Sequence, residues 1–276
     1  MRSSILPLLF LLVAAPAVHA QADAGKPLPD VKELQARSLA GLDRMKEQRE
    51  KYLCKVKVIN RDTDSKGRVK KTSVAEREVF FVHGHEIAQT MMVDGKPLSA
   101  DDQHKRDENV RKAIEKAMAP RDAKAQKQPG IRDVLRVAKL TNERRLPVAG
   151  RPTIVFDIVP DPDKGGSIFD KFAHAVEGTI SIDEQSGMLQ DVNVRGTRDV
   201  KVGGGLVANV HKGFQFHVVN QAQADGTWFN LIAEGKGDAK VGLFVREAGD
   251  FRQETEGCKI YDVSTAHEEK VPEPPK

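Results

Sequence analysis

The chain has 276 residues, 30% of them charged with both signs interspersed, and a formal net charge of +4. That balance describes an ordinary solvated surface; it provides no basic stripe for nucleic acid and names no partner by charge. The length accommodates one all-β domain or two smaller ones, and either buries a sizeable core.

Residues 1–20 read "MRSSILPLLFLLVAAPAVHA", with Arg2, an apolar run over 5–18, and small residues before Gln21. The pattern predicts a cleavable secretory signal peptide that takes no part in the fold. No later stretch approaches the roughly 20 apolar residues of a transmembrane helix, so a soluble periplasmic protein is expected. Residues 21–28 are expected to form a flexible N-terminus and residues 29–264 a single domain.

Asp30, with Glu33 three positions later, is a capping-box start, and Val31, Leu34, Leu42, Met45 and Leu53 follow at near-helical spacing. An amphipathic helix over residues 31–50 is predicted, with an apolar stripe that must lie on something. In "YLCKVKVIN", Cys54, Val56 and Val58 alternate with Lys55 and Lys57, as in a strand with one buried and one wet face. "RDTDSKGR" reads as a hairpin loop and "VKKTSVAEREVFFV" as the returning strand. A turn at Gly84, a third strand "EIAQTMMV" and the loop "DGKP" come next.

Ser99 and Asp102 mark a second helix start, Val110, Ala113, Ile114, Ala117 and Met118 its apolar stripe, and Pro120 its end. The breaker-rich "APRDAKAQKQPG" and a short helix at "IRDVLRVA" complete a charged helical insertion over residues 99–137. From there the pattern is almost entirely β, with turn signals at 183–187, at Asp225 and Gly226, and at 235–237, interrupted by the loop "PDPDKGGSIFDKFAHAV". Gly203, Gly204 and Gly205 fit a sharp strand bend, a close backbone approach, or a plain glycine-rich turn. The tail, residues 265–276, is expected to be disordered. The economical architecture is one large curved antiparallel sheet with helices lying against it, a mainly β, α+β chain.

Cys54 and Cys258 fall in strand-like segments near the two ends of a chain bound for an oxidising compartment. They pair if the first and last strands lie side by side, and stay reduced if an open meander puts them on opposite edges.

Chemistry-bearing motifs are sparse. His83 and His85 form H-x-H, but Gly84 between them reads as a turn, and no carboxylate or cysteine cluster completes a metal site. Asp62 with Asp64, and the "DPDKGG" run over 161–166, read as turns in which aspartate bonds its own backbone rather than as calcium loops. G-x-S-x-G, S-x-x-K and H-E-x-x-H do not occur, so no catalytic residue, metal or cofactor is assigned.

The order of elements, together with "RPTIVFDIVPDPD", "GTISIDEQSGMLQDVNV" and "VKVGGGLVANVHKGFQF", resembles a family of bacterial envelope proteins related to outer-membrane lipoprotein-sorting proteins. The resemblance covers about residues 30–264 and extends architecturally to the periplasmic lipoprotein carrier and its outer-membrane receptor. It implies an unclosed β-barrel covered by amphipathic helices, whose concave apolar face holds lipid acyl chains or lipoproteins. The charged segment over 99–137 is a departure from the carriers. Phe81, Met91, Phe156, Phe216, Trp228 and Phe244 fall on predicted strands and are the candidate groove residues. Each is also what an ordinary core requires, so a non-enzymatic envelope scaffold with a filled barrel, binding other envelope proteins, stays open beside the carrier.

Overall fold

The computed structural model describes residues 26–64, 66–119, 131–160, 170–202, 208–237, 239–241 and 249–260. The signal segment, the loop over 161–166, the three glycines at 203–205, Phe244 and the tail lie outside these residues.

The first helix, α1 (Val31–Arg49), starts where Asp30 caps it by accepting from the Glu33 amide at 2.9 Å. Its Leu34 is fully buried, with Val31, Leu39 and Leu42 packed on the same core. Four strands follow: β1 (Tyr52–Thr63), β2 (Val69–Val82), β3 (His85–Val93) and the short β4 (Lys96–Pro97). The links between β2, β3 and β4 are two-residue turns, His83-Gly84 and Asp94-Gly95, with all four φ angles between 49° and 73°. Such turns match the right-handed twist of the flanking strands, and here they place His83 in the turn and His85 on β3.

Two helices separate this hairpin set from the rest. In α2 (Ala100–Met118), Ser99 caps the N-terminus, but the stripe buries only Ala117, and Met118 at its end is 64% exposed. Arg106 fixes α2 beside β3 by donating to the Thr90 carbonyl at 3.4 Å. By contrast α3 (Ile131–Val137) enters the core through Val134, Leu135 and Val137. Strands β5 (Ala138–Val148) and β6 (Arg151–Pro160), the single turn α4 (Asp170–Ala173), and β7 (Val176–Asp183) and β8 (Leu189–Gly196) come next. The chain then runs through β9 (Val200–Val202), β10 (Ala208–Val210), β11 (Gln215–Ala222), β12 (Trp228–Lys236), β13 (Ala239–Val241) and β14 (Gly249–Ile260).

Eleven strands form one antiparallel sheet in the order β4-β3-β2-β1-β14-β12-β11-β8-β7-β6-β5, and β13, β10 and β9 form a small second sheet. The large sheet does not close: β4 and β5 are its two edges. The first long strand and the last pair in its interior, β1 against β14, which rules out the meander with those strands on opposite edges. Cys54 stands directly opposite Cys258, with their Cα atoms 4.0 Å apart, and the two form a disulfide.

One face of the sheet is apolar along most of its length. Toward β5, the side chains of Ile154, Phe156, Ile158, Ile180, Ile182, Val192 and Val194 form the main core with Leu34 of α1 and with α3. Toward β2, Tyr52, Cys54, Val56, Val58, Val79 and Phe229 form a second, smaller cluster. Helix α1 is tied along this face at several points. Gln35 donates to the Leu135 carbonyl, Arg37 to the Gln185 carbonyl at 2.8 Å, and Arg132 of α3 to Asp43 at 2.7 Å. Gly41 is buried where the helix crosses the β7–β8 turn, and a Cβ there would stand 2.7 Å from the Met188 sulfur.

Candidate functional site

Between the two apolar clusters the inner face narrows to a row of aromatic rings. Phe216 on β11 pairs with Val194 and with Gly235, and Gly235 pairs with Phe251 on β14, so these residues share one face across four strands. The rings of Phe214 and Phe216 stack at 6.3 Å between centroids, and Phe216 and Phe251 meet at 6.3 Å and 42°. Glycine at 235 is what admits the Phe251 ring: a Cβ there would lie 2.4 Å from Phe251 Cε1. Phe216 is half-buried against the main core, and Phe251 is half-buried beyond it.

The sequence-derived groove residues do not assemble into one surface. Phe156 is fully buried in the main core. Phe216 borders that core, whereas Phe81 packs on the second cluster. Trp228 is buried, with the Arg151 guanidinium 5.4 Å above its ring. Met91 is exposed on β3, close to an open edge of the sheet. Two central contributors, Phe229 and Phe251, were not singled out by sequence. Phe251 lies in "GDFRQETEG", where opposite charges fill the alternate positions and give no apolar alternation to betray a strand.

The opposite face of the same strands carries charge. His217, on β11, has Nε2 2.8 Å from an Asp191 oxygen and Nδ1 3.1 Å from a Glu234 oxygen. Glu234 accepts from Arg252 at 2.6 Å, Arg252 donates also to Glu254 at 2.6 Å, and Arg61 pairs with Asp250 at 3.0 Å. A pocket of about 350 Å³ is lined by Arg61, His217, Glu234 and Arg252 and also by Phe216 and Phe251 of the aromatic row. Burial disfavours the charged imidazole, but the hydrogen bonds to Asp191 and Glu234 outweigh it and raise the His217 pKa. When the imidazole is protonated, both ring nitrogens donate to carboxylates and the cluster forms a ladder of alternating charge bridging β8, β11, β12 and β14. Among the described residues no group of three or more His, Cys, Asp or Glu could hold a metal ion, and no helix is long and apolar enough to cross a membrane.

Neither a family model nor a curated protein matches the chain. Among solved structures, it is similar to an outer membrane lipoprotein-sorting protein domain from Vibrio parahaemolyticus, at 8% identity and a TM-score of 0.32 over 82% of this chain and 92% of that one. It is similar to a DUF1329 family protein from Desulfovibrio piger, at 12% identity and a TM-score of 0.36 over 86% of this chain and 95% of that one. MucB in complex with MucA(peri) is similar at 12% identity and a TM-score of 0.23, over 82% and 92% of the two chains.

Proposed function

We propose that the protein is a periplasmic binder of lipid acyl chains or lipoproteins, of the carrier type, with the inner face of its open sheet as the binding surface. The observation that carries this reading is the apolar inner face of an unclosed sheet, on which half-buried Phe216 and Phe251 extend the main core toward a second, separate cluster. An acyl chain laid along that row leaves water at about 0.8 kcal/mol per buried methylene. Release requires a part that moves. Helix α1 lies on the inner face through Leu34, tied to α3 and to the β7–β8 turn, and is the cover that must shift.

A second reading has its own support. Phe156 and Trp228 are 0% and 3% exposed, so part of the expected groove is already filled by the chain's own side chains, as in an envelope scaffold that binds proteins. Titration of the detergent-free protein with an 11-carbon fatty acid bearing a dansyl group separates the two. Saturable one-to-one fluorescence enhancement, lost in a Phe216→Asp variant with an unchanged far-UV circular dichroism spectrum, supports the binder. No enhancement at any concentration below probe micellisation supports the scaffold.

A further inference from the structure

Two guanidinium groups on the inner face carry buried N–H groups with no acceptor among the described residues. Arg49, the last residue of α1, lies 5.4 Å from the centroid of the Phe229 ring and 5.9 Å from that of Phe81. Its Nε donates to the Trp228 carbonyl at 3.1 Å, while its Nη2 is buried and unpaired. Arg77 on β2 stands opposite Val56, which places it on the same face as Val79 and Phe81, and its Nε is also buried and unpaired. Glu86, opposite Phe81 on β3, is the acid whose field reaches both guanidinium groups. Burial lowers the Arg49 pKa to about 10, with Glu86 acting against it, so Arg49 stays charged at neutral pH. The group therefore has two cations to one anion.

A buried donor without an acceptor is costly, and a charged one most of all, so an orphaned guanidinium N–H requires an explanation beyond packing. Guanidinium is the side chain best matched to the oxygens of phosphate and carboxylate, because its planar fork donates along two directions at once. Here it is set beside an apolar wall of Tyr52, Val79, Phe81 and Phe229. We propose that Arg49 and Arg77 form a subsite for the anionic head of an amphiphile, a phosphate or carboxylate whose chain lies on the apolar inner face. The assignment rests on the acyl-binding reading and adds to it a preference for negatively charged ligands.

Isothermal titration calorimetry compares dodecyl phosphate, dodecyl glucoside and inorganic phosphate on the purified full chain. Dodecyl phosphate is expected to bind at least about tenfold more tightly than the glucoside. Arg49→Gln and Arg77→Gln should each remove that preference while leaving glucoside affinity in place. Equal affinity for the two amphiphiles in the unsubstituted protein overturns the subsite and leaves the acyl-binding reading standing. Binding of neither amphiphile overturns the acyl-binding reading itself. Inorganic phosphate binding as tightly as dodecyl phosphate overturns the amphiphile and identifies a free anion as the ligand. An Arg77→Met variant guards against misfolding: removing an unsatisfied donor should leave the unfolding temperature unchanged or raised, and a fall of several degrees would mark Arg77 as structural and sink the proposal.

Discussion

The ring of Phe251 occupies the space that a side chain at Gly235 would need, with Cε1 only 2.4 Å from where a Cβ would stand. The two residues pair across β12 and β14, so a backbone choice on one strand sets the position of an aromatic ring on the other. Gly235→Val is therefore expected to push the Phe251 ring out of the row and to destabilise the protein by about 1–3 kcal/mol. A second substitution, Phe251→Leu, should recover part of that loss, and chemical denaturation of the single and double variants measures both. Additive losses would contradict the contact.

The disulfide between Cys54 and Cys258 links residues 204 positions apart and joins the first and last long strands at the middle of the sheet. Closing so long a loop removes much of the entropy of the unfolded chain. The double variant Cys54→Ala, Cys258→Ala should lose about 2–5 kcal/mol, and reducing agent should lower the unfolding temperature of the parent but not of the variant.

Asp183, at the end of β7, is fully buried and accepts hydrogen bonds from Arg151 Nε at 2.6 Å and Nη2 at 3.1 Å, and from the Ser186 amide and hydroxyl. Burial opposes its ionisation, but these donors outweigh burial and hold its pKa below the usual carboxylate value. Its contribution to stability is present above the unfolded value of about 3.9 and is lost as pH falls through the folded pKa. Asp183→Asn should cost about 3 kcal/mol, the lower end for a broken buried pair because the Arg151 side chain is 36% exposed. Unfolding at pH 7 and in strong acid tests the sign: the gap between parent and variant should hold down to about pH 4 and narrow below about pH 3.9.

His217 behaves in the opposite sense. Its pKa is raised by Asp191 and Glu234 against burial, so its stabilising charge is fully present below about pH 6.5 and is lost as pH rises through the folded value. His217→Gln should be less stable than the parent at about pH 6, with the difference shrinking toward about pH 9. A gap that widens with pH would show that His217 is neutral in the fold.

Much of the framework was legible in the sequence because its signals are local. Asp30 with Glu33 and Ser99 with Asp102 announce the starts of α1 and α2, and the alternation of Cys54, Val56 and Val58 with lysines gives β1 its buried face. The pairing of β1 with β14 was not legible, because strand order is a long-range property and β14 opens on charged residues that pair across the sheet. The site was hardest to read for the same reason. Phe216 was singled out, but its partner Phe251, the glycine between them at 235 and Arg49 above Phe81 come from strands and a helix far apart in sequence, and only the folded arrangement brings them together. The stripe of α2 misled in another way: apolar residues at helical spacing predicted burial, yet Met118 is mostly solvent-exposed at the helix end.

The most direct test of the acyl-binding account is native mass spectrometry of the protein exported to a periplasm and purified without detergent, with solvent extraction of any adduct. The account predicts a stoichiometric adduct of phospholipid or acylated peptide that is absent from a folded Phe216→Asp variant. A clean apo mass, unchanged after incubation with lipid vesicles and lipoproteins, would contradict it.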